Sequence, residues 1–151
     1  MSDVIVTSSG NLKNEVRFAD GRTMITDEPI SAGGENAGPD PYSLLLAALG
    51  SCISMTLILY ARKKGWPLQR VTVRLRQNRV HAEDCKDCQT NEGYIHRIER
   101  SVTVEGDLDD EQRKRLEEIA HKCPVHKTLT SEILIADWED EAKSDLPRNV
   151  F

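Results

Sequence analysis

The run Gly33-Gly34-Glu35-Asn36-Ala37-Gly38-Pro39-Asp40-Pro41 leads into an uncharged apolar stretch, Leu44 to Ala61, that carries Cys52 near its middle. The glycines and prolines break all periodicity, whereas the apolar stretch is long enough for several helical turns. Its length reaches that of a membrane span, but Gly50, Ser51, Ser54 and Thr56 interrupt it, and nothing else in the chain could furnish a comparable core. It therefore reads as the buried central helix of a globular domain, with no membrane partner. Ser43 offers a cap region at its start, and Gly65 a stop after Arg62-Lys63-Lys64.

Upstream, Asp3 to Asp27 alternates in the manner of strands, with a turn at Ser9-Gly10-Asn11 and a hairpin signal at Asp20-Gly21. Downstream of Trp66-Pro67, Val71, Val73 and Leu75 alternate with Arg70, Thr72, Arg74 and Arg76. Ile95 to Glu105 repeats the habit, and the two strands are expected to pair. Asp109 to Lys122 is an amphipathic helix, Pro124 to Leu129 a second short one with Cys123 as its N-cap, and Glu132 to Trp138 a last strand. The order defines an α+β class, with one domain over residues 1–139 and an acidic tail at 140–151 expected to be poorly ordered.

The 151 residues suffice for one domain, and a net charge of -5 with a pI of about 5.4 argues against a nucleic-acid partner. No basic segment followed by an apolar one opens the chain, so a cytoplasmic protein with four reduced thiols is expected. The glycine-rich approach lacks the G-x-x-x-x-G-K-[ST] pattern of a phosphate cradle.

Cys52 by itself fits a packing role as well as a chemical one, since a small thiol in an apolar helix is commonly buried. Cys123 differs: a helix restarting at Pro124 turns free amides and a positive dipole end toward the sulfur, and with His121, Lys122, His126 and Lys127 close in sequence these favour the thiolate there. Cys85 and Cys88 form a C-x-x-C pair near His81 and His96, open to readings as an unremarkable thiol pair, a redox relay or part of a metal site. His126, three residues after Cys123, could act as a base.

Two motifs together are more specific than either thiol. Gly38-Pro39-Asp40-Pro41-Tyr42-Ser43 through Gly50-Ser51-Cys52, followed by Ala120-His121-Lys122-Cys123-Pro124-Val125-His126-Lys127-Thr128-Leu129, resembles the osmotically inducible protein C (OsmC) family, which includes the organic hydroperoxide resistance (Ohr) proteins. The resemblance spans Glu15 to Asp137. It implies antiparallel sheets packed around a long central helix in an intertwined homodimer, and a thiol peroxidase of oxidative stress defence. No cofactor is implied. Carried over, Cys52 attacks the organic or fatty-acid hydroperoxide, Cys123 resolves the sulfenic acid as a disulfide, and an external dithiol restores both. Arg17, with Arg22 as the alternative, is the candidate cation for Cys52. The Ohr branch carries a glutamate ten positions before its first cysteine, where this chain has Tyr42; Glu35 and Asp40 lie near enough in sequence to substitute. Tyr42 and Glu35 are thus candidate pocket residues, and the chain reads as a divergent OsmC-like branch. Two other functions compete: a non-catalytic module binding an apolar small molecule, and a thiol- or metal-sensing protein using Cys85 and Cys88.

Overall fold

The computed structural model describes residues 3–85, 89–90 and 92–137. Three strands, β1 (Val4–Ser8), β2 (Asn14–Phe18) and β3 (Thr23–Thr26), form an antiparallel sheet in the order β1-β2-β3. Gly21, at φ 84°, makes the tight turn between β2 and β3, where its N–H donates to the Phe18 carbonyl at 2.9 Å.

The glycine-rich segment folds back on the end of β3. The buried Asp27 carboxylate accepts the amides of Glu28, Glu35 and Ala37 at 2.9, 2.9 and 3.1 Å. Those bonds, that of Ala37 foremost, hold its pKa below the usual carboxylate value. A Cβ at Gly34 would stand 1.9 Å from the Glu28 carbonyl oxygen, and one at Gly38 would stand 2.1 Å from that of Ile25. These two glycines allow backbone to lie on backbone.

Helix α1 (Pro41–Lys64) has its N-cap three residues before the Ser43 cap region read from sequence. Asp40 is the N-cap, accepting the amides of Tyr42 and Ser43 at 3.0 Å each, and Pro41 has no N–H to satisfy. Gly65, at φ 69°, closes the helix in the left-handed conformation, and Trp66 N–H reaches the Ala61 carbonyl at 2.9 Å. Strands β4 (Leu68–His81) and β5 (Tyr94–Gly106) form the expected antiparallel hairpin, with Val71 opposite Val104 and Val73 opposite Val102. Helix α2 (Asp110–Ala120) opens on a capping box of Asp109 and Gln112, and α3 (Pro124–Leu129) follows with Cys123 as its N-cap.

One stripe of α1 makes the core. Leu49, Ile53 and Leu57 recur every four residues and pack with Leu108, Leu116, Ile119 and the apolar face of β4 and β5. Gly50 lets α1 lie close to the hairpin, since a Cβ there would sit 2.8 Å from Leu75 Cδ1.

Two expectations fail within a single chain. The central helix is buried along one stripe rather than all round, with Met55 and Leu59 each 64% exposed, and by length and composition alone it could cross a membrane. The β1–β3 sheet, with Val4, Ile5 and Val6 all exposed, packs chiefly on itself and leaves the far side of α1 uncovered. The last strand is also absent: residues 132–137 have no strand partner among the described residues, and Leu134 and Ile135 are 88% and 91% exposed. Strand propensity needs an edge to pair with, and this segment meets none among the described residues. Trp138 and the acidic tail lie outside the described residues.

Leu57 has no exposed surface and sits at the centre of the core cluster. Leu57→Ala is expected to lower the unfolding free energy by about 2–5 kcal/mol, read from urea denaturation, with little change in the native circular dichroism.

Candidate active site

The two cysteines paired by the sequence motifs meet at the first turn of α3. Cys52 lies on α1 three residues after the core residue Leu49, and its Sγ accepts the Val125 amide at 3.5 Å. Cys123 Sγ accepts the His126 amide at 3.2 Å, and Cys52 is close enough to act on Cys123 by hydrogen bonding and charge. Pro124 presets the turn, so consecutive free N–H groups at Val125 and His126 reach one sulfur each. On the other side, Thr56 Oγ1 donates to the Cys52 carbonyl at 2.7 Å.

The electrostatic expectation for Cys123 is overturned. Its side chain is fully buried, and that desolvation pushes the thiol above its ordinary pKa; the His126 and Val125 amides pull the other way, and the Cys52 contact adds to the rise. Lys122 and Lys127 are close in sequence but exposed, while the sulfur joins the Leu116 and Ile119 cluster. Cys52 is the half-exposed thiol of the pair.

The other candidates disperse. Arg17 pairs with Glu15 at 3.2 Å on the face of its own sheet, and Arg22 Nε donates to Asp20 at 2.7 Å, so neither reaches Cys52 within the chain. Glu35 pairs with Lys13 at 2.9 Å in the β1–β3 region, and Asp40 caps α1. Tyr42 stacks on His96, with ring centroids 6.0 Å apart and an interplanar angle of 22°. Cys85 is disulfide-bonded rather than reduced, because oxidation state follows redox potential and not sequence context alone; Cys88 lies outside the described residues. His81 faces its cross-strand neighbour Tyr94 and His96 faces Tyr42. Among the described residues no group of three or more His, Cys, Asp or Glu is placed to hold a metal.

Beside the thiols lies a cavity of about 270 Å³ bounded by β5, α1, the C-terminal end of α2 and α3. His96, Arg100, His121 and His126 supply its polar lining, and Leu49 and Leu129 part of the apolar one. The contact of His126 with Cys123 is through its backbone, and its ring lines this cavity. Burial lowers the His126 pKa, and Arg100 and His121 lower it further. Arg100 escaped notice in the sequence. The signal was available: it stands on the apolar face of β5, two residues from both Ile98 and Val102, where a charged side chain breaks the alternation.

The chain is an α+β protein that brings a buried and a half-exposed cysteine together at one helix N-terminus. Residues 33–136, more than half of the chain, match the model of the OsmC-like protein family, and the chain belongs to that family. The match begins later than the Glu15 suggested by the sequence. Among solved structures the chain is similar to an OsmC like protein from Mycoplasma pneumoniae, at 17% identity and a TM-score of 0.67, over 85% of this chain and 86% of that one. It is similar to an organic hydroperoxide resistance protein, OsmC, from Legionella pneumophila, at 18% identity and a TM-score of 0.61, over 85% and 89%. It is also similar to the organic hydroperoxide resistance protein OhrB of Bacillus subtilis, at 20% identity and a TM-score of 0.57, over 85% and 90%. At these identities the likeness establishes the fold. Comparison with curated proteins gave no match.

The contrast in burial is directly measurable. In the native reduced protein at pH 7.5, iodoacetamide is expected to label Cys52 roughly tenfold or more faster than Cys123, read by peptide mass spectrometry. Because the Cys123 pKa is raised, its own labelling should accelerate only as the pH climbs past the ordinary thiol range. Equal rates would contradict the assignment.

Proposed function

We propose that this protein is a dithiol-dependent peroxidase that reduces organic hydroperoxides in oxidative stress defence, in the cytoplasm and as a homodimer. The observation that carries this reading is the meeting of Cys52 and Cys123 at the α3 N-terminus, where each sulfur accepts one backbone N–H. Family membership and the likeness to organic hydroperoxide resistance proteins support it.

The chemistry balances with these two thiols and one external reductant. The Cys52 thiolate attacks the terminal peroxide oxygen, the O–O bond breaks, and the alkoxide leaves as the alcohol after taking up a proton. Cys52 is then a sulfenic acid, oxidised by two electrons. Cys123 gives up its proton and attacks the Cys52 sulfur, water leaves, and a disulfide forms. An external dithiol returns both sulfurs to thiols by exchange. The half-exposed Cys52 suits the attacking role and the buried Cys123 the resolving one.

A second copy would cover what one chain leaves bare: the Met55 and Leu59 side of α1, the β1–β3 sheet and residues 133–135. Arg17, exposed on that sheet, is the candidate to bring a cation to Cys52 across the interface, and Tyr42 and Glu35 are the candidate pocket residues.

One equivalent of an organic hydroperoxide is expected to remove two hydrogens from the intact mass of the reduced protein. Cys123→Ser should instead accumulate a dimedone-trappable sulfenic acid on Cys52. An unmodified Cys52 with background peroxide loss would sink the peroxidase reading. Sedimentation should show a dimer at micromolar concentration and a monomer for Leu59→Glu; a monomeric wild type would sink the dimer.

A further inference from the structure

We propose that Arg100 is the positioning residue for the resolving thiol: by holding the Ala120 carbonyl it fixes the turn that presents Cys123 to Cys52. The inference rests on the peroxidase reading and deepens it by naming a residue that sets the speed of resolution. The step it serves is the attack of the Cys123 sulfur on the Cys52 sulfenic acid. The S–S bond forms, the S–O bond breaks, and hydroxide leaves with the thiol proton as water.

Helix α2 is tied at both ends by arginine side chains bonded to backbone carbonyls. Near its start Arg113 donates to the carbonyls of Val104, Gly106 and Leu108 at 3.0, 3.0 and 3.2 Å. At its finish Arg100 Nη1 donates from β5 to the Ala120 carbonyl at 3.0 Å. The last turn of a helix leaves carbonyls without intrahelical partners. Those of Glu118 and Ile119 accept the amides of His121 and Lys122 at 3.3 and 2.8 Å, whereas that of the buried Ala120 takes Arg100. Among the described residues Arg100 enters no ion pair, and the adjacent Glu99 pairs with Arg76 and Arg97. The carbonyl is therefore what holds a half-buried cation on the apolar face of β5, between Ile98 and Val102.

Cys123 follows Ala120 by three residues, so a shift at the Arg100 tie reaches the sulfur through a short turned segment. That segment borders the cavity of about 270 Å³, with Arg100, His121 and His126 on its wall. Side chains hold one another where their atoms touch, and a cavity wall lacks that support on its open side. The hydrogen bond to Ala120 supplies what packing does not. A disulfide tolerates a narrow range of Cα separation, so a displacement of about 1 Å suffices to change how readily one forms. Arg113 lies seven residues before Ala120, about 10 Å along the helix, and steadies α2 without touching the turn.

The test uses the full chain with three variants. Arg100→Met removes the donor but suits an apolar strand face, Arg100→Lys keeps a cationic donor, and Arg113→Met is the control for a loosened helix. The Cys52–Cys123 couple is first equilibrated with glutathione and its disulfide, two thiols being oxidised as one glutathione disulfide is reduced, and read as the cross-linked peptide by mass spectrometry. Arg100→Met is expected to lower the equilibrium constant for the protein disulfide about tenfold, because a looser turn lowers the effective concentration of one thiol at the other. Arg100→Lys should recover part of that loss, and Arg113→Met should stay within about twofold of the parent despite a lower unfolding midpoint. With an organic hydroperoxide, Arg100→Met should form the Cys52 sulfenic acid at the parental rate and convert it to the disulfide about tenfold more slowly. Parental values in Arg100→Met, or an equal fall in Arg113→Met, would overturn the positioning role. If Arg100→Met does not fold, an Arg100→Lys constant at or above that of Arg113→Met overturns it. The expected glutathione results with no oxidation of Cys52 by any organic hydroperoxide would overturn the peroxidase reading alone. Sulfenic acid on Cys52 that Arg100→Met resolves as fast as the parent would overturn the positioning role alone.

Discussion

The packing of one α1 stripe against the β4–β5 hairpin and α2 fixes everything the site needs. Leu49, Ile53 and Leu57 dock on Leu116, Ile119 and the paired valines of the hairpin. Gly50 removes the side chain that would hold α1 away from Leu75. With α1 seated, Cys52 has a defined height above α3, and the Val125 amide meets its sulfur. The apolar contacts supply the free energy, and the two N–H···S bonds supply the register.

Burial, not sequence proximity, governs the charge of the buried thiol. A helix N-terminus with nearby lysines and histidines predicts an acidic Cys123, yet Lys122 and Lys127 are exposed to water and the sulfur turns inward. Screening by solvent weakens the exposed cations, while desolvation acts on the sulfur in full. The same logic makes Arg100 notable, since it is a cation kept on the inner face of a strand and bound to a backbone carbonyl.

Legibility followed locality. The β4–β5 hairpin, α2 with its Asp109 cap, α3 with Cys123 at its N-cap and the pairing of the two cysteines could all be read from short-range pattern and motif. The start of α1 lies outside that pattern, because Asp40 caps the helix from beyond the apolar run. What one chain leaves uncovered could not be read: amphipathic patterning marks a surface as apolar without saying which chain covers it. Residues 132–137 show this, being strand-like in composition and unpaired among the described residues. Arg17 was placed correctly on β2, but its distance from Cys52 depends on how sheets are arranged in space, which periodicity does not encode.

The long hairpin also separates sulfur from sulfur. Gly50 meets the hairpin at Leu75, and Cys85 follows the end of β4 at His81, six residues further on. At about 3.3 Å per strand residue that is roughly 20 Å, several times the span across which two cysteines can be bridged. Within one chain, direct thiol–disulfide exchange between Cys85 and the Cys52–Cys123 pair would therefore need a diffusing carrier or a second molecule.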